Sequence, residues 1–308
     1  PVYNSKDVGQ YSTAVGSQSW TKGDYSAAYG YQAEATGTNA VAIGRVSKAT
    51  GTSATAVGVN NKAQAQDSSA VGSSNTIAAG ATQASAFGRE NTVNRGGTIA
   101  AGYKNTTDGD RNVAIGNENT TTGEETIGIG TKVIAGTGKT IAIGSVYNPG
   151  GGVEKQTIAR GDDTINPATG QVNNIFALAI GNGAQADGKD NKASGMIAIG
   201  QDVLADNNNT IAMGVQAKAT GNQAIAFGKI ANASGSGAFA LGQATNATSH
   251  GSIAMGNGAQ STGSGSTALG RTANAANDGS VAVGWNAEAT GDHAIAIGGD
   301  SKGAAFPN

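Results

Sequence analysis

The sequence predicts an all-β fold, a solenoid of flattened two-stranded coils paired in parallel. Three observations predict it: a five-residue phrase that returns every 14 residues, a second glycine half a period later, and 50 glycines among 308 residues. Glycine at about one residue in six is far above the usual share near 7%, and aromatic side chains make up only 5% of the chain. Such a composition by itself is compatible with disorder; the regular spacing is not.

The phrase is small–apolar–Ala–apolar–Gly, as in Ala40-Val41-Ala42-Ile43-Gly44, Thr140-Ile141-Ala142-Ile143-Gly144 and Ala294-Ile295-Ala296-Ile297-Gly298. It occurs 19 times, and 15 of the 18 gaps between closing glycines are 14 residues. The phrase alternates with period two, which is the signature of a strand. A weaker alternation follows each closing glycine, as in Ala217-Lys218-Ala219 and Ala287-Glu288-Ala289, and reads as a second, half-buried strand. Two strands of about five residues with two short turns account for one 14-residue coil. The turns fall at the closing glycine and at a glycine seven residues later, as at Gly23, Gly37, Gly51, Gly221 and Gly291. Both need a positive φ or a close approach of neighbouring backbones. Coils stacked about 4.8 Å apart would make 19 of them a rod about 90 Å long.

Residue size suggests which way the first strand faces. The position two before the closing glycine is alanine in 18 of 19 copies, Gly128 being the exception, whereas its neighbours range over Val41, Ile43, Phe239, Leu241 and Met255. The reading preferred here puts the variable large residues inside the coil. The row Ala42, Ala114, Ala142, Ala198, Ala226, Ala254 and Ala282 then lies outward against a closely approaching partner. The reverse assignment, with that row in the core and the large residues toward a partner, stays open. Either way, a coil so poor in large side chains buries little apolar surface against the cost of ordering its backbone. Lateral association along the coil axis is therefore expected. Outward residues such as Glu34, Lys48, Lys62, Lys218 and Glu288 should stand in vertical ladders.

Other classes are excluded in turn. Glycine does not recur every third residue and there are four prolines, which rules out collagen. The absence of cysteine rules out a disulfide scaffold, and no apolar run is long enough to span a membrane as a helix. A net charge of −2 leaves no electrostatic footprint for nucleic acid. His250 and His293 have no partners at metal-ligand spacing. The acidic residues are scattered singly, without an acid–base pair, and no phosphate loop or calcium-binding nonapeptide is present. We expect no enzyme activity, no metal and no cofactor.

The regular pattern breaks in three places: a gap of 16 residues from Gly72 to Gly88, one of 37 from Gly144 to Gly181, and one of 19 from Gly181 to Gly200. The organisation is accordingly read as a first run of coils over 1–144, an inserted loop or hairpin over 145–176, a second run over 177–298 and an exit over 299–308. Long insertions on solenoids often bind, and this one carries Arg160-Gly161-Asp162, the tripeptide displayed by integrin ligands. The shorter excesses are read as bulged turns. Trp20, Tyr25, Tyr29 and Tyr31 near one end, and Trp285 near the other, are read as stacking caps.

Phrase, period and glycine pair together resemble the head domain of YadA-like trimeric autotransporter adhesins, over nearly the whole chain from about Gly9 to Gly298. The resemblance implies a left-handed parallel β-roll assembled as a side-by-side homotrimer. It also implies display on the surface of a Gram-negative bacterium, with anchoring in the outer membrane by a C-terminal region that this sequence does not show. Partners implied are extracellular matrix proteins such as collagen, fibronectin or laminin, with integrins through Arg160-Gly161-Asp162 and self-association of cells as further roles. The family's collagen-binding phrase Asn-Ser-Val-Ala-Ile-Gly-x-x-Ser is matched by Asn39-Ala40-Val41-Ala42-Ile43-Gly44-Arg45-Val46-Ser47, with alanine at the second position. That match makes Asn39, Val41, Ile43 and Ser47 candidate ligand contacts. The alternative is a passive spacer or an ice-binding type of solenoid with no protein ligand.

Overall fold

The computed structural model describes residues 8–148, 153–160, 176–188 and 195–300, and the backbone of 302–303. The chain is an all-β parallel solenoid of about 19 coils, with no helix among the described residues. It divides into two compact units, 1–136 and 137–308. The first contributes nine strands to a first sheet and nine to a second; the second contributes ten to each.

Within the first unit every strand pairs in parallel with its equivalent one coil on. Ala27–Tyr29 aligns with Val41–Ile43, and that with Thr55–Val59, so Ala28, Ala42 and Ala56 stand in one column. On the second sheet Trp20–Thr21, Glu34–Ala35, Lys48–Ala49 and Lys62–Ala63 stack in the same way. The strands are shorter than expected, three to five residues on the first sheet and mostly two on the second. The cause lies in the turns. About every seven residues the chain passes through the left-handed region, as at Val46 (φ 60°), Ser53 (φ 55°), Asn60 (φ 54°) and Asp67 (φ 55°), and each passage ends a strand.

These left-handed residues are mostly not glycine, so the repeated glycines are needed for another reason. A Cβ on Gly37, which is not itself left-handed, would lie 1.9 Å from the Gly51 carbonyl oxygen of the next coil. Gly44 combines a φ of +110° with a 1.9 Å approach to the Gly58 carbonyl oxygen. Backbone stacks on backbone at both turns, and no side chain fits between.

The interior overturns the preferred orientation of the phrase. Ala42, Ala114, Ala142, Ala198, Ala226, Ala254 and Ala282 are fully buried inside the coil, while Val41 is half-buried and Ile43 is 40% exposed on the outer face. The reason is the narrow gap between the two sheets. Alanine from the phrase meets the small residues of the second strand, Ala49 and Ala63 among them, and very few side chains larger than asparagine are fully buried. The exception in the row confirms the limit. At Gly128 a Cβ would come 3.1 Å from the Thr121 methyl, so a bulkier residue on one sheet is matched by a smaller one on the other.

One run of coils fills its interior differently. Asn61, Asn75, Asn91, Asn105 and Asn119 are completely buried at equivalent positions. Asn75 Nδ2 donates to Asn61 Oδ1 at 3.0 Å, Asn91 to Asn75 at 3.0 Å and Asn105 to Asn91 at 3.0 Å. Each amide also donates to backbone carbonyls; Asn91 Nδ2 reaches Phe87 O (3.0 Å) and Gly102 O (2.9 Å). In these coils the first-sheet strand lengthens to five residues, as at Ser85–Arg89 and Ile99–Tyr103.

The two-residue excess before Gly88 lies in the turn over 78–84, since Ser85 still aligns with Ser69 and Thr76 with Lys62. In the second unit, Thr140–Gly144, Ala177–Ile180 and Met196–Ile199 pair in register. The insertion between the first two supplies its own second-sheet strand, Ile158–Arg160, paired with Gln185–Asp187. It therefore rejoins the coil well before Phe176, where re-entry was expected. Thr157 takes the buried place that alanine or asparagine has elsewhere, donating to Gly181 O at 2.6 Å. A short antiparallel bridge joins Tyr147 and Lys155 ahead of it. The excess around 189–194 falls outside the described residues.

Candidate interaction surfaces

Because alanine points in, the large residues flanking it point out. The first sheet of each unit thus carries an apolar face: Val41, Ile43, Phe87, Ile99 and Ile115 in one, and Ile225, Phe239, Leu241, Ile253 and Ile295 in the other. Phe87 is 44% exposed and Ile295 53%. A contiguous column of half-exposed branched and aromatic side chains marks an association surface.

The candidate matrix-binding residues divide between faces. Val41 and Ile43 belong to this apolar column, and Asn39 stands at a turn with φ 58°. Ser47 is completely buried, its Oγ donating to Gly58 O at 3.0 Å, so it supports the turn and no ligand can touch it. Of the integrin-type tripeptide, Gly161 and Asp162 lie outside the described residues. Arg160 ends a strand, and its Nη1 is 3.2 Å from Asp187 Oδ2 in the next coil. Burial pushes the Asp187 carboxyl above its ordinary value, with Arg160 opposing that shift.

The tyrosines near the first coils are exposed. Tyr11 and Tyr25 occupy equivalent turn positions and stack with ring centres 5.1 Å apart. Trp285 does not act as a cap: it is 60% exposed, and its carbonyl accepts a hydrogen bond from Asp300 N of the coil beyond. Farther along the first unit, Arg89 lies 4.6 Å and Lys104 5.0 Å from the Tyr103 ring. The Lys104 ammonium first, then the Arg89 guanidinium, hold the Tyr103 phenol below its ordinary pKa by hydrogen bonding.

On the second sheet the outward residues form the expected ladders, with Lys48 Nζ 2.7 Å from Glu34 Oε2. Sequence reasoning missed what borders them. The left-handed turn residues two after each closing glycine stand as a ridge beside the ladder, and a groove runs between. In the first unit it is lined by Gln18, Trp20, Gln32, Glu34, Val46 and Lys48. In the second unit the same relation recurs at Gln216, Lys218, Ile230, Asn232 and Asn246. Among the described residues no group of acidic, histidine or cysteine side chains could hold a metal ion, and no helix is long and apolar enough to cross a membrane.

Comparison with protein families finds the YadA head domain repeat at residues 8–33, 25–47, 49–75, 205–229, 233–259, 261–287 and 278–301, more than half of the chain. The chain belongs to the YadA head family. The matched segments of this YadA-type head lie in both units, and its unmatched middle, 76–204, holds most of the asparagine ladder together with the insertion. Family membership carries an adhesin-type role at the surface of Gram-negative bacteria. Comparison of this YadA-type head with curated proteins finds no match.

Proposed function

We propose that the chain is the head of a trimeric surface adhesin that attaches bacteria to extracellular matrix proteins or host cells. The observation that carries this reading is the apolar column on the first sheet. Three copies laid side by side would remove it from water, at about 25 cal/mol for each Å² buried, and would leave the polar second sheets facing outward. Each coil then presents its outward ladder three times. Weak contacts repeated in this way raise avidity by about 10²–10⁴ over a single site.

Attachment of the purified chain to immobilised collagen, fibronectin and laminin, and to cultured cells, tests the reading. Saturable binding to at least one of these is expected; absence of binding to all of them removes it. Integrin engagement through Arg160-Gly161-Asp162 would require Arg160 to release Asp187, which makes it the less favoured route to cells. A second reading draws on Thr76, Thr92, Thr106 and Thr120, which stack outward in four successive coils of the second sheet. Their row is bounded by Lys62 and Ile134. Thermal hysteresis in a freezing assay would favour an ice-facing role for that row over adhesion.

A further inference from the structure

The groove beside the second sheet occurs in both units at equivalent positions, between the left-handed ridge and the outward ladder. We propose that it is a binding groove for an extended, uncharged oligosaccharide, one sugar unit lying against each coil or two. The inference deepens the adhesive reading by giving the head a class of ligand.

Three features select that class. The first is what the groove cannot offer. Backbone groups of the second sheet are already spent between coils, Glu34 N on Ser47 O (2.9 Å) and Lys48 N on Asn61 O (2.7 Å). An extended peptide gains affinity chiefly by adding itself to a free sheet edge, and no such edge faces this groove.

The second feature is what the groove does offer. Gln18, Gln32, Gln216, Asn232 and Asn246 present carboxamides, each both donor and acceptor, and Gln32 Nε2 already bonds Gln18 Oε1 at 2.6 Å, which fixes their orientation. Such groups complement hydroxyls, which also donate and accept. The only ion pair in the first groove, Glu34 with Lys48, is neutral as a unit; the second groove holds a single cation, Lys218, among carboxamides and alkyl groups, and one charge does not select a polyanion.

The third is the apolar component. Trp20 lies half-buried along the first groove, and Ile230 is 47% exposed in the second. A pyranose ring has one apolar C–H face that an indole or a branched alkyl group can cover. Val46 and Ile230 hold these rim positions at φ 60° and 59°, a region costly for β-branched residues, where unbranched residues serve in neighbouring coils: Gln32 and Asn60 beside Val46, Gln216 and Ala244 beside Ile230. Strain kept at an exposed apolar residue points to a use for it. Equivalent coils are about 4.8 Å apart, so each groove sets polar and apolar groups at a short, regular spacing along its length, which suits a polymer with a short repeat.

The test is an array of immobilised neutral hexasaccharides of glucose, mannose and galactose probed with the full chain. Binding to at least one is expected, together with a change in Trp20 fluorescence in a Trp285→Phe background. Trp20→Ala with Gln32→Ala, combined in one chain with Ile230→Ala and Asn232→Ala, should weaken it at least tenfold, each pair alone should remove part of the binding, and Thr38→Ala at the opposite turn should leave it unchanged. All these side chains point outward, and unchanged thermal melting of each variant verifies the fold. The proposal is overturned if no saccharide binds, if binding ignores both double substitutions, or if an extended peptide displaces the sugar. Attachment to matrix proteins or cells without any saccharide binding would sink the groove assignment and leave the adhesive reading standing; saccharide binding without attachment would do the reverse.

Discussion

At Asn91 a single side chain does the work that backbone pairing does elsewhere. Its amide hydrogens go to Asn75 Oδ1, Phe87 O and Gly102 O, and its own oxygen accepts from Asn105 N and Nδ2. Asn91→Asp keeps the shape but removes every donor and buries a charge. We expect it to destabilise the first unit by about 3–5 kcal/mol, read by calorimetry. Asn91→Ser should cost only about 1–2 kcal/mol, because Ser47 fills the equivalent place in another coil. The alanine column makes a second, opposite point about size. Ala42→Val adds two methyl-sized groups to a space that holds one, and overpacking there should cost about 1–3 kcal/mol. Ile43→Val, one residue away on the outer face, should leave the melting temperature of the isolated chain nearly unchanged. Equal melting of the two variants would refute the inward placement of Ala42. The asparagine ladder was open to detection in the sequence, since the same residue recurs three after Gly58, Gly72, Gly88, Gly102 and Gly116; attention to glycine and alanine hid it.

Elements are cut short by their turns, and length returns where the interior supplies extra hydrogen bonds. First-sheet strands have three residues beside Ala33 or Ala217 and five beside the asparagine ladder. The insertion obeys the same economy: whatever lies outside the coil, Thr157 and Ile158–Arg160 restore the second-sheet place that stacking requires. Asp187 shows the local consequence. Its folded pKa is raised mainly by burial, so the ionised form is disfavoured in the fold and the penalty is complete only at pH well above that value. As pH falls toward the ordinary carboxylate range near 4, the penalty fades. Asp187→Asn should therefore stabilise the second unit at neutral pH, and the gain should shrink to nothing in melts recorded at progressively lower pH. A loss of stability at neutral pH that faded on acidification would mean that the Arg160 pairing, and not burial, sets the energetics of this site.

For the whole molecule the decisive quantity is the apolar column on the first sheet. A coil whose interior is mostly alanine buries little beyond its backbone, and each alanine methyl adds only about 0.8 kcal/mol. Much of the remaining apolar surface is on the outside, which links stability to association. Sedimentation should show a trimer whose melting temperature rises with concentration. Replacing Ile225, Phe239 and Ile253 together by aspartate should give monomers that keep their β signal in circular dichroism but melt at lower temperature. A wild-type chain that sediments as a monomer at all concentrations would contradict this account of the face.

The amino-acid sequence alone determined the coil, its period and the number of its repeats, because a turn every seven residues and alternation by two leave few ways to wind a chain. Its resemblance to YadA-type heads was equally plain, the phrase being specific in both content and spacing. Alternation, however, is symmetric: it says that alanine and isoleucine face opposite ways, not which of them faces in. Only the tertiary structure decided that, through the narrow gap between the two sheets, which buries the alanine row completely and leaves the branched and aromatic neighbours on the outer face. The groove beside the second sheet was hidden for a related reason. It joins residues of different coils, so it exists only once the coils are stacked.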